Sequence, residues 1–293
     1  MSSNLLPQSP PMPSETPFTI SIADDKIAAL KRKLAEAEFP DELEDAGWDY
    51  GIGHKLMQAL GYPEYVTQGG DWGHMITRTA ASLYGPKHVK AWHTNMPMAP
   101  GPPTFTAQPL QYIRHMLTPY TEEEKAGLAR RKWFRETGSG YSQEQSTQPQ
   151  TLGYSLADSP VGLLAWIYEK LVNWTDNYEW DDDEVLTWIS IYWFSRAGPA
   201  ASLRIYYENR VAFRKLVALK PTVPLGMSFF PKELIYLPKS WVATLGTVVF
   251  EERHARGGHF AAHEQPDALV GDVRKMFGKG GPAFGVVPGK TGY

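Results

Sequence analysis

Hydrophobic positions along this chain follow two rhythms, one helical and one alternating. Behind Asp24, a residue suited to starting a helix, Ile27, Leu30 and Leu34 recur at helical spacing. Just before it, Phe18-Thr19-Ile20-Ser21-Ile22 reads as a short extended piece. A turn-rich arm follows over residues 40–50, and residues 55–60 begin a second helix. Short β-prone runs then occur at residues 65–68 and 89–94, and again at 223–229 and 247–250. Between the two pairs, a proline-rich linker over 96–109 leads into a long helical stretch reaching about residue 217. Within it, 163–171, 184–194 and 200–208 carry helical spacing. Residues 267–277 form a closing amphipathic helix, with Leu269, Val270, Val273, Met276 and Phe277 predicted inward and Gly278 as its stop. No internal repeat is visible. The layout is α/β, with a helical insertion between two groups of strands.

Composition narrows the function more than the fold. Hydrophobic residues make up 42% and charged residues 21%, ordinary for a globular protein with room for one α/β domain and a large insertion. A net charge of −3 argues against nucleic acid or an anionic membrane as the main partner. The absence of cysteine removes disulfides, thiolate catalysis and cysteine-bound zinc. No cluster of His and carboxylates has metal-ligand spacing, so no metal or cofactor is expected. Residues 1–15 are rich in Pro and Ser and lack an apolar run, so they read as a disordered tail, neither signal peptide nor membrane anchor. A cytoplasmic location is the expectation. Aromatic residues make up 13%, with 10 Trp and 15 Tyr, and much of that content falls between Trp133 and Tyr207, which suggests an aromatic-lined pocket, although core packing is the plainer account.

The chemistry concentrates at Gly69-Gly70-Asp71-Trp72-Gly73, between a short strand and a helical pattern. Glycines around one reactive residue at a strand-to-helix turn form a nucleophile elbow, here with aspartate at its tip. A carboxylate there attacks saturated carbon and leaves an ester that water can hydrolyse, which suits an epoxide or an alkyl halide. Two plainer readings compete: Asp71 as a helix cap, or a simple Gly-Gly turn. A water-activating base and an acid to orient it should follow the nucleophile in the order acid, then His. Of the eight histidines, His259 in Gly257-Gly258-His259-Phe260 has the best context, with His263 and His254 as rivals. Glu233, in Phe230-Pro231-Lys232-Glu233, falls just after a predicted strand and is the candidate acid.

These segments, together with Tyr84-Gly85-Pro86, Asp158-Ser159-Pro160-Val161-Gly162-Leu163 and Gly257-Gly258-His259-Phe260-Ala261-Ala262, resemble the microsomal-type epoxide hydrolase family. That family lies within the α/β-hydrolase superfamily. The resemblance implies an α/β-hydrolase fold with a helical lid: a tail over 1–16, an N-terminal arm over 17–50, the core from 54–100 and 218–293, and the lid from 101–217. It implies Asp71 as nucleophile, His259 as base, Glu233 as its orienting acid, and a small epoxide and water as partners, as in xenobiotic detoxification. It further implies two lid tyrosines that hold the epoxide oxygen, falling on Tyr141 and Tyr206, with Tyr207 as an alternate. The chain departs from the family where Tyr50-Gly51-Ile52-Gly53-His54-Lys55 joins two flanks directly. The first strands of the sheet and a His-Gly-x-Pro loop are missing there, roughly a hundred residues at about thirty per βα unit. Only the Trp72 N–H then remains as an oxyanion donor, and the strand before Asp71 is expected to have a bare edge. Such an edge calls for repair by a homodimer, or else leaves an inactive, truncated remnant. Haloalkane dehalogenase, which also places Trp after its Asp, is the enzymatic rival.

Overall fold

The computed structural model describes residues 24–36, 57, 58 and 60–290. The expectations for the tail, for most of the arm and for the junction at 51–55 lie outside the described residues. The chain divides into two compact units, Met1–Glu38 and Phe39–Tyr293. The first contains helix α1 (Asp24–Ala35), where Asp24 and Asp25 lie in the first turn, favourable to the helix dipole.

The second unit is built on a four-stranded parallel sheet in the order β1 (Tyr65–Gln68), β2 (Val89–Thr94), β3 (Pro224–Phe229), β4 (Thr247–Arg253). Helix α2 (Trp72–Tyr84) crosses from β1 to β2. Successive side chains of a strand face opposite layers, and β3 shows it. Leu225, Met227 and Phe229 join Trp92, Tyr236 and Leu245 in the main core. Gly226 and Ser228 face the closing helix α13 (Pro266–Phe277). A Cβ on Gly226 would lie 2.3 Å from Met276 Sδ, so glycine is what lets that helix sit close. Leu269, Met276 and Phe277 are buried as expected, but Val270 is 45% exposed. Its position in the helical period turns it to the outer flank of the apolar stripe.

Between β2 and β3 the chain forms a run of helices: α3 (Pro109–Leu117), α4 (Glu122–Trp133), α5 (Gly140–Thr147), α6 (Pro149–Asp158), α7 (Pro160–Trp174), α8 (Asp182–Trp193), α9 (Arg204–Asn209) and α10 (Phe213–Val217). A capping box of Thr121 and Glu124 starts α4, and Ser159 caps α7 with Pro160 in its first turn. These helices have their own core of Leu156, Leu163, Leu171, Val185 and Ile189. After β3 come α11 (Lys239–Val242), then β4, α12 (Ala261–Glu264) and α13.

β1 is paired on one side only among the described residues. Apolar side chains gather beside it: Tyr62, Val66, Phe277 and Val286 line a hollow there. Beneath α13 runs a chain of buried polar groups. His254 Nε2 lies 2.6 Å from Asp272 Oδ2, Ser228 Oγ donates to the same oxygen at 2.5 Å, and His93 Nε2 lies 3.1 Å from Ser228 Oγ. Because the serine proton goes to Asp272, His93 must donate from Nε2, which fixes its neutral tautomer.

Candidate active site

Three strands of this sheet end in loops that meet. β1 ends at Gly69-Gly70-Asp71, where Asp71 adopts φ 49° and ψ −127°, a left-handed conformation rare for a residue with a side chain. A Cβ on Gly69 would lie 2.4 Å from the Gly73 carbonyl oxygen, so the turn can close only over glycine. Asp71 stands at the head of α2 but makes no capping hydrogen bond with its side chain. The capping reading is thereby set aside. The carboxylate is 48% exposed.

Beyond β3 and β4 the two chains stay paired through a parallel bridge between Lys232 and Gly258, with Lys232 N–H donating to the Gly257 carbonyl at 2.9 Å. This places Glu233 beside His259. His259 Nδ1 lies 2.8 Å from Glu233 Oε1, and His259 Nε2 lies 3.1 Å from Asp71 Oδ2. Glu233 Oε1 also accepts the Leu234 N–H at 2.6 Å, which holds the carboxylate in place. Burial alone would push the His259 pKa down. The Glu233 charge and the hydrogen bonds to Asp71 and Glu233 outweigh it and raise the value to about 10.

The helices between β2 and β3 supply the opposite wall. Tyr141 on α5 and Tyr206 on α9 pack edge to face with ring centroids 5.7 Å apart, and Tyr206 meets the Trp72 ring at 5.1 Å. Burial raises the pKa of both hydroxyls, reinforced by the Asp71 charge. Tyr206 reaches about 12, while Tyr141, which is hydrogen-bonded to Tyr206, lies higher still. Both therefore remain protonated. The alternate, Tyr207, is 41% exposed and stacks under the Arg210 guanidinium at 3.6 Å.

The other two histidines are engaged elsewhere. His263 contacts Glu184 at 2.7 Å and stacks on Trp180 at 5.0 Å, while His254 pairs with Asp272. Sequence reasoning missed two residues that shape the site. Trp174 closes α7, takes the His259 N–H on its carbonyl at 2.8 Å and lays its ring against the imidazole at 5.1 Å. Arg130 on α4 donates to the carbonyls of Lys232 at 2.7 Å and Asn173 at 3.0 Å, tying the loop that carries Glu233 to the end of α7. The apolar face Leu163, Leu171, Trp174 was readable as a helix period, but which loop it touches was not.

Asp71 opens onto two cavities. One, of about 340 Å³, is lined by Met75, Met96, Met98, Phe134 and Phe213. The other, of about 580 Å³, is lined by Trp166, Trp174, Trp188, Tyr192 and Lys170. Tyr141 and Tyr206 border both.

Comparison with known proteins gives a consistent picture. No family model matches the chain. Epoxide hydrolase 1 of Sus scrofa is 39% identical over 249 residues, which cover 78% of this chain and 54% of that protein. The structure of Aspergillus niger epoxide hydrolase superposes with a TM-score of 0.66 at 34% identity, covering 80% of this chain and 58% of that one. The crystal structure of juvenile hormone epoxide hydrolase from the silkworm Bombyx mori superposes with a TM-score of 0.67 at 30% identity, covering 77% and 57%. The chain spans about half the length of the curated relatives it matches.

Proposed function

The chain is a relative of the epoxide hydrolases of the α/β-hydrolase fold, and on that premise we propose that it converts an epoxide to a vicinal diol through an ester on Asp71. The observation that carries this reading is the line Asp71–His259–Glu233 facing two protonated tyrosines across one cavity.

In the first step an Asp71 oxygen attacks a ring carbon of the epoxide, and the carbon–oxygen bond on the far side breaks. The departing alkoxide is a poor leaving group at neutral pH, and Tyr141 and Tyr206 hold its oxygen and supply the proton. In the second step His259 takes a proton from water, and the hydroxide attacks the Asp71 carboxyl carbon. The Trp72 N–H faces the developing oxyanion; collapse breaks the acyl–oxygen bond, the diol oxygen takes the proton held by His259, and the proton left on the Asp71 carboxyl returns to the tyrosine pair, which restores the resting site.

The electrostatics supports this sequence. In the resting site His259 sits between two carboxylates, which favour its charged form. Ester formation removes the charge of Asp71, so the imidazole pKa falls at the moment a base is required. The tyrosine pair also argues for an epoxide over an alkyl halide, since a halide ion leaves unprotonated and gains little from an acid. A second copy covering the β1 edge that is unpaired among the described residues is part of the same proposal, supported by the apolar hollow beside that strand.

The test is a single turnover of styrene oxide in ¹⁸O-water. The first diol should lack the label, and mass analysis should find ¹⁸O in the peptide carrying Asp71. Label in the first-turnover diol means direct attack by water and ends the ester mechanism.

A further inference from the structure

Epoxide opening makes no use of Lys170, yet that residue lies in the wall of the larger cavity. It sits on the buried face of α7 with Leu163, Leu171 and Trp174, and only 9% of its side chain is exposed. Its Nζ lies 4.2 Å from the Trp166 ring centroid and 5.4 Å from that of Tyr141. Its carboxylate partner, Glu169 Oε1 at 2.9 Å, is the preceding residue and 60% exposed. A Leu or Met would pack this face at no electrostatic cost, whereas an ammonium taken out of water is unfavourable unless something there uses its charge. Cation–π contact with Trp166 offsets part of that cost without occupying an N–H. Of the three N–H donors, Glu169 takes one. The cavity wall is otherwise mostly aromatic; Gln145 and Ser202 add polar groups, and the Asp71 carboxylate borders it as well.

We propose that this cavity receives a substrate arm ending in a carboxylate, held by Lys170. The substrates are then epoxides substituted on both ring carbons. The apolar arm lies among Met75, Met96 and Met98, and the acidic arm runs along the tryptophans toward Lys170. A monoanion fits better than a phosphate ester, because Lys170 is a single point charge and Glu169 beside it opposes a dianion. The reaction assigned to such substrates rests on the epoxide hydrolase reading, while the anion subsite does not.

The subsite is read by titrating the tryptophan fluorescence of the full chain with octanoate and with 1-octanol. Octanoate should bind about tenfold or more tightly than octanol, the range of a charge-assisted hydrogen bond. Lys170→Met should remove that preference while octanol binding changes little, and Lys170→Arg should retain it. Equal affinity for the two probes in the unaltered protein overturns the subsite, whether or not the variant folds. A second arm compares turnover of disubstituted epoxy acids with that of their methyl esters. Turnover of esters with no gain for the acids overturns the inference alone. Octanoate binding with neither compound turned over upholds the subsite and overturns the epoxide reading.

Discussion

Two histidine–carboxylate systems lie on this sheet, and one of them opens onto a cavity. At the C-terminal ends of β1, β3 and β4, His259 bridges Asp71 and Glu233. Under α13, Asp272 binds His254 and Ser228, and Ser228 binds His93. The second set contains a serine, histidines and an aspartate, the residue types of a hydrolytic triad. Its serine, however, is fully buried and stands between His93 and Asp272, so no histidine lies between it and the acid. The Asp71 carboxylate of the first set is 48% exposed, against 1% for Asp272. Residue type therefore does not separate the two; access and order of contacts do. The sealed set ties α13 to β2, β3 and β4, while the open one is arranged around a space that a substrate can enter.

The largest effect should come from His259→Gln. Ester hydrolysis should fall roughly 10²–10⁴-fold while ester formation continues. Intact-protein mass spectrometry should then show the alkylated chain accumulating. His254→Gln should leave turnover within about twofold, and an equal loss from both variants would erase the contrast. Next in size, Tyr141→Phe or Tyr206→Phe should each slow ester formation about 10–100-fold, because one donor remains at the oxygen. Rapid-quench measurement of the alkyl-enzyme should find hydrolysis nearly unchanged, and an equal slowing of both steps would place the pair elsewhere in the mechanism.

Ser228→Ala should act on stability alone, by about 1–3 kcal/mol in denaturant unfolding, since it strands the His93 N–H in a sealed site. A loss of activity at full stability would show that the sealed set communicates with the open one. The smallest effect is in the pH dependence of Tm. The pKa of His259 is raised on folding, so its contribution is complete below 6.5 and is lost as pH rises toward about 10. That of His93 is depressed to about 4 by burial, with Asp272 opposing, so its contribution is present above 6.5 and lost as pH falls toward 4. Ser228→Ala should alter the acid limb and Glu233→Gln the alkaline one. The reverse assignment would contradict the pairing described here.

Much of the open site was legible in the chain. The glycines around Asp71, the order Asp71, Glu233, His259, and the position of each after a β-prone run are local patterns, and a parallel sheet gathers such loops at one end. The roles of Tyr141 and Tyr206 came through family resemblance, because a tyrosine in a short polar helix carries no local mark of what it faces. Lys170 and Trp174 belong to an apolar helical face whose partner is set by tertiary packing. The sealed set was not legible: nothing in the sequence near Gly226 and Ser228 named Asp272 as their partner. Val270 and Leu269 were both read as inward, yet neighbours in a helix point about 100° apart, and Val270 is the one left exposed.

The bridge between Lys232 and Gly258 has a consequence for how this chain can vary. Glu233 and His259 sit on what is, in hydrogen-bonding terms, a continuation of the β3–β4 ladder, so their mutual alignment is a matter of counting residues. One residue inserted between Phe229 and Lys232, or between Arg253 and Gly258, would slip that ladder by a step and turn Glu233 or His259 to the other side. Length changes should accordingly be tolerated beyond His259 or within the long connection between β2 and β3, but not in these two short spans. In a lineage of such chains, the spacings from strand end to Glu233 and to His259 would be inherited as fixed intervals even where the letters between them change.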